Sequence, residues 1–102
     1  EEAREAIESF REAGITALCC HNDDLALMVL AAMSAMGLVP GDDLAVIGVD
    51  DVPLAVMGLT TVAIDLDWLA AATVDHVIAV LDGRDPAPVA DPLLELIVRT
   101  SV

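Results

Sequence analysis

Apolar residues recur at helical spacing from the start of the chain. Ala3, Ile7 and Phe10 fall on one stripe with Glu and Arg opposite, which predicts a helix over residues 2–13 that Gly14 ends. Ile15-Thr16-Ala17-Leu18-Cys19-Cys20 is then an unbroken, largely apolar run with β-branched residues, the pattern of a strand buried on both faces. His21-Asn22-Asp23-Asp24 interrupts it, and a second helix is predicted from Leu25 to Met36, closed by Gly37. Asn22 or Asp23 suits its N-cap, and acids in the first turn suit the helix dipole. Leu44 to Val49 reads as a second buried strand ending in Asp50-Asp51. Val52 to Gly58 reads as an irregular stretch and Leu59 to Asp65 as a third strand. Residues 67–82 form the last helix, with Ala70, Val74, Val77, Ile78 and Leu81 on one side and Asp75, His76 and Asp82 on the other. The Pro/Gly-rich loop from Asp82 to Pro88 stops it, and Leu93 to Val98 gives a final strand. No internal repeat is visible. Strands alternating with helices at these separations predict an α/β fold with βαβ units and a mainly parallel sheet with flanking helices.

The second helix carries Leu25, Leu27, Met28, Val29, Leu30, Met33 and Met36 on every side. A helix of that kind must be covered on more than one face, and the sheet covers only one. Self-association, or a further part of the same protein, is expected to cover the rest.

Composition narrows the function. In 102 residues, 18 Asp+Glu face 4 Lys+Arg, a net charge of -14, and all four cations are arginines. Binding of nucleic acid by this segment is excluded, because that affinity rests on neutralising phosphates with Lys and Arg. Binding to an anionic membrane surface is disfavoured for the same reason. The longest uncharged run, Leu25 to Gly41, is too short and too punctuated for a bilayer, which needs about 20 apolar residues. Glu1-Glu2-Ala3-Arg4-Glu5 is not a signal peptide; lacking Met and starting mid-helix, it suggests a piece of a longer protein. The adjacent Cys19 and Cys20 point to opposite faces of a strand, form no disulfide framework and suggest a reducing cytoplasm.

Two polar clusters stand at the carboxyl ends of predicted parallel strands, His21-Asn22-Asp23-Asp24 and Asp50-Asp51. Ligands bind at that edge of open α/β sheets. Asn both donates and accepts, and an ionised Asp accepts, so the pair suits hydroxyl-rich molecules such as sugars or nucleosides. The structural alternative is that Asn22 and Asp23 only cap the helix and Asp50 only turns the chain. An Mg²⁺ site for phosphoryl transfer is disfavoured because the chain has no lysine, and a P-loop is absent for the same reason. Cys19 and His21 lie about 6.6 Å apart along a strand at about 3.3 Å per residue, beyond hydrogen-bond reach, so both cysteines read as buried structural thiols. His76 beside Asp75 reads as solvated, and two isolated histidines make no zinc site. Trp68 and Phe10, the only aromatics, read as core or interface. No metal, cofactor or catalytic residue is predicted.

Four segments in order carry a resemblance. They are His21-Asn22-Asp23-Asp24-Leu25-Ala26-Leu27, Gly37-Leu38-Val39-Pro40-Gly41-Asp42-Asp43 through Gly48-Val49-Asp50-Asp51, Leu59-Thr60-Thr61-Val62, and Val98-Arg99-Thr100-Ser101-Val102. From Ile15 onward the chain resembles the C-terminal part of the effector-binding domain of LacI/GalR-family bacterial transcription regulators. The resemblance implies part of a two-lobed, periplasmic-binding-protein-like (type I) fold with a ligand in the cleft between lobes. Residues 1–102 would be a C-terminal fragment, without the DNA-binding helix-turn-helix and most of the first lobe. Helix 67–82 would pack on that first lobe. Asn22 and Asp50 match positions that hydrogen-bond the effector, which raises the ligand reading above the cap reading. Leu66 matches a position where some members place an aromatic over the sugar. Leu27, Leu30, Ala31 and Ser34 are the candidates for the homodimer contact made by the helix after Asn22.

The sequence departs from that pattern in the crossover. The stretch from Asp51 to Leu59 is short, Met57-Gly58 replaces a proline pair, and Ala70 stands where Gly is common. The expectation is a cytoplasmic, non-enzymatic sensor of a small sugar-like or nucleoside-like effector. It would act as a homodimer, reach DNA only through its absent head and touch no membrane. A periplasmic solute-binding protein of a sugar transporter is the alternative.

Overall fold

Helix and strand alternate in the order α1 (Glu2–Glu12), β1 (Ala17–Cys19), α2 (Asp23–Ala35), β2 (Ala45–Val49), a 3₁₀ turn (Pro53–Met57), β3 (Thr60–Ile64), α3 (Leu66–Leu81) and β4 (Leu94–Ile97). The computed structural model describes residues 2–88 and 94–102. The chain divides into two units, Glu1–Ala63 with Leu96–Val102 and Ile64–Glu95. Leu93, the expected start of the last strand, lies outside the described residues.

The sheet has the order β1-β2-β3-β4. β1 pairs with β2 in parallel, Ala17 beside Ala45 and Cys19 beside Ile47; β2 pairs with β3 in parallel, Ile47 beside Thr60 and Val49 beside Val62. The expected mainly parallel α/β sheet is thereby realised. After β4 the chain runs antiparallel to the start of β3, since Arg99 N–H donates to Thr60 Oγ1 and Ser101 N–H to Gly58 O. Ser101 is fully enclosed; its hydroxyl donates to Val46 O at 2.6 Å and accepts from Thr60 N–H at 2.8 Å, joining β2 to the first residue of β3.

The core of the first unit gathers Ile7 from α1, Cys20, Ala26 and Met33 from around α2, Leu44 and Val46 from β2, and Ala55 and Leu59 from the crossover. Asn22 rather than Asp23 takes the α2 cap, so α2 begins two residues before the expected Leu25. Gly37, at φ 72°, ends it in a left-handed turn that lets Leu38 N–H reach Met33 O, a conformation that favours glycine.

One expectation fails in β1. It is three residues long and lies at the edge of the sheet, with Ala17 and Cys19 exposed. Alternate strand residues face opposite sides, and α1 and α2 cover only the side where Leu18 and Cys20 point. A strand buried on both faces and two buried thiols are both corrected: only Cys20 is buried.

In the second unit Asp65 Oδ1 accepts from Trp68 N–H at 2.9 Å and starts α3, and Arg84 N–H donates back to Ala79 O at its end. The expected apolar side of this helix is not a core face here: Val74, Val77, Ile78 and Leu81 are exposed, Leu81 at 80%, and Ala79 alone is buried. No further helix among the described residues of this unit packs on that stripe. His76 is exposed, as expected.

Candidate functional site: the carboxyl edge of the sheet

Parallel pairing of β1 with β2 decides what meets at this edge. Cys20 N–H donates to Ile47 O at 2.8 Å, one step beyond β1, so His21–Asp24 and Asp50–Asp51 leave neighbouring strands at the same edge. Asn22 is extended, and its Oδ1 accepts from Leu25 N–H at 2.9 Å. A backbone N–H can only donate, so this bond settles the amide orientation. Nδ2 is thereby turned away with two donors, and no hydrogen bond among the described residues uses them.

Asp50 presents the complementary group. Its N–H donates to Val62 O at 2.9 Å, its φ of 109° lies in the left-handed region, and the residue is exposed. Asp51 follows at φ 51°; its carboxylate pairs with Arg99 at 2.9 Å, and the same guanidinium donates to Leu59 O at 2.8 Å. Two consecutive non-glycine residues at positive φ persist only where the surroundings over-determine them.

Of the residues singled out from sequence, the structure brings Asn22 and Asp50 to one edge within the first unit. Leu66, the first residue of α3, belongs to the second unit and is 67% exposed. On α2, Leu27 and Leu30 are half-buried against the core, while Ala31 and Ser34 are exposed. Cys19 is exposed, and burial, followed by the neighbouring Cys19, pushes the Cys20 thiol above its usual range. No group of three His, Cys, Asp or Glu side chains suited to a metal occurs among the described residues.

Sequence reasoning missed the role of Asp23. Its side chain does not cap; it is fully buried beneath the edge and accepts from Thr61 Oγ1 at 2.5 Å and from Val52 N–H at 2.9 Å. The signal that could have found it is Gly48, a glycine inside a strand, which often marks a close approach.

The model of the periplasmic binding protein-like domain family matches residues 1–102. The chain belongs to that family. Within it, the chain is similar to LacI-family regulators. The arabinose metabolism transcriptional repressor of Geobacillus stearothermophilus is 31% identical over 106 residues, covering 99% of this chain and 29% of the repressor. The crystal structure of the Escherichia coli transcriptional repressor ascG superposes with a TM-score of 0.76 at 29% identity, over 98% of this chain and 38% of that one. A LacI family transcriptional regulator from Arthrobacter sp. FB24, solved with lactose, has a TM-score of 0.73 at 33% identity, over 97% and 40%. The chain thus spans well under half the length of these relatives, and they are regulators rather than transport receptors or enzymes.

Proposed function

We propose that this chain is the effector-sensing part of a LacI-type transcription regulator, and that Asn22 and Asp50 hold a small polyhydroxylated molecule. The observation that carries this is the pairing of a donor with an acceptor at one sheet edge. Asn22 keeps Nδ2 free because its oxygen is committed to the α2 cap, and Asp50 holds an exposed carboxylate at the same sheet edge. One sugar hydroxyl can accept from the first while a neighbouring hydroxyl donates to the second. Capping and binding are therefore compatible roles of one side chain. The lactose bound by the Arthrobacter relative and the arabinose in the name of the Geobacillus relative point to a saccharide. Leu66 enters this reading only through its matching family position, as a smooth apolar surface without the stacking of an aromatic ring.

In this reading the effector favours one lobe arrangement over another, and the resulting population shift alters how a dimer presents its DNA-binding heads. The dimer contact is assigned to the stripe of α2 formed by the half-buried Leu27 and Leu30 and the exposed Ala31 and Ser34, with Met28 also 62% exposed on this helix. The chain itself does no catalysis, the full protein works in the cytoplasm, and DNA is contacted outside this segment. No helix among the described residues is long and apolar enough to cross a membrane. The regulator relatives favour this reading over a solute-binding receptor.

The test is calorimetry of the full-length protein against lactose and arabinose. Asp50→Asn is suited to it, because Asn tolerates the left-handed backbone. Loss of a charged hydrogen bond is expected to weaken saccharide binding about 10- to 100-fold at unchanged melting temperature. Undiminished affinity removes Asp50 from the site.

A further inference from the structure

We propose that Asp23 is a positioning residue that fixes the spacing and aim of Asn22 and Asp50, with Thr61 as its anchor and Gly48 as the opening that admits it. The inference rests on the reading of Asn22 and Asp50 as the effector-binding pair. Asp23 directly follows Asn22 in the chain, and its Oδ2 accepts from the N–H of Val52, two residues after Asp50. One carboxylate therefore ties together the two loops that each carry one binding group. Its other oxygen accepts from Thr61 Oγ1 on β3, and that same hydroxyl oxygen lies 3.4 Å from Asp51 N–H, which donates to it.

The path between these groups crosses β2 at Gly48, which the sheet register sets beside Thr61. A Cβ on Gly48 would collide with Asp23 Oδ1 and lie 3.1 Å from Asp23 Cα. Only glycine leaves room for the carboxylate to pass over the strand. With Asp50 N–H donating to Val62 O, the three consecutive amides of Asp50, Asp51 and Val52 are all held from β3 or α2. That explains how two aspartates in succession remain at positive φ in an otherwise exposed turn. A capped helix alone would need neither the buried carboxylate nor the glycine.

The experiment combines amide hydrogen exchange with saccharide titration on the full-length protein and four variants. Thr61→Val deletes the hydroxyl at nearly constant shape, Gly48→Ala displaces Asp23 without removing a hydrogen-bonding group, and Thr61→Ser restores the hydroxyl. Asp50→Asn reports on the binding group itself. In Thr61→Val and Gly48→Ala the amides of Asp51 and Val52 are expected to exchange about tenfold faster while those of Val46 and Ile47 hold. Lactose or arabinose affinity should fall about tenfold with them, and Thr61→Ser should behave as wild type. Unchanged exchange at Asp51 and Val52, or a uniform rise across β2, overturns the positioning role. So does faster exchange with saccharide affinity retained in Thr61→Val but lost in Asp50→Asn. If Asp50→Asn binds both saccharides as wild type does, the ligand reading itself has failed, and the positioning role falls with it.

Discussion

Helices α2 and α3 are both rich in apolar residues, and both begin with a side-chain cap of the same hydrogen-bonding pattern. Asn22 and Asp65 each accept a backbone N–H three residues on at 2.9 Å. Their fates differ. α2 loses Ala26 and Met33 completely from solvent and half-buries Leu27, Val29 and Leu30, whereas α3 buries only Ala79. The difference lies in what each unit supplies: the first unit sets a sheet and α1 against α2, and among the described residues no other helix of the second unit accompanies α3. Apolar composition therefore marks a need for cover, and the sheet decides where cover exists. The polar groups that suit an effector sit where sheet and helix meet, and none of them depends on α3.

The sharpest way to break this contrast is core truncation. Met33→Ala is expected to cost about 2–5 kcal/mol in urea unfolding, since the side chain is fully enclosed. Leu81→Ala, at 80% exposure, should change stability by less than about 0.5 kcal/mol. A cost at Leu81 approaching that at Met33 would show that α3 is covered in solution.

A smaller effect tests the polar side of the first unit. Arg99 joins Leu59 O to the Asp51 carboxylate with side chains 19% and 30% exposed, so solvent screens the pair only in part. Arg99→Met should lower stability by about 1–2 kcal/mol, read from the denaturant midpoint. An unchanged midpoint would mean that the turn at Asp50 holds without it.

The two caps compare the units directly. Asn22→Ala and Asp65→Ala should each cost about 1 kcal/mol of helix stability, the second seen as local loss of α3 helicity by hydrogen exchange. Serine also caps well, so Asn22→Ser should keep α2 intact.

The thiols give the smallest effect. Cys19 should react promptly with Ellman's reagent and Cys20 slowly, the one exposed and the other buried. Burial, and then the neighbouring Cys19, raises the folded Cys20 thiol above the ordinary 9.0. The folded state holds that proton more tightly than the unfolded chain, so this contribution is complete below the ordinary value. It is lost as pH rises through the raised one. Cys20→Val should flatten that alkaline fall in stability; an identical fall would assign it to other groups.

Much of the fold was legible because its signals are local. Glycines at 14, 37 and 83 stop helices where expected, and the strand read at Leu44–Val49 is found at Ala45–Val49. Burial of β1 was not legible, because only sheet order decides which strand lies at the edge. The 3₁₀ turn Pro53–Met57 was hidden for a related reason: it shortens a parallel crossover to residues 50–59, where a longer helix is usual. At the site, Asn22 and Asp50 stood out as polar residues following apolar runs. Asp23 was misread because its neighbour took the cap, and its partners Thr61 and Val52 lie 38 and 29 residues away in sequence. Arg99 and Ser101 escaped for the same reason, since tertiary hydrogen bonds leave no periodicity.

The central claim is that Asn22 caps α2 with its oxygen and meets the effector with its nitrogen. Calorimetric titration of full-length Asn22→Ser with lactose and arabinose, alongside thermal unfolding, tests it most directly. The account predicts a wild-type melting temperature with saccharide affinity reduced about tenfold. Wild-type affinity at a wild-type melting temperature would contradict it, and would leave Asn22 as a helix cap and nothing more.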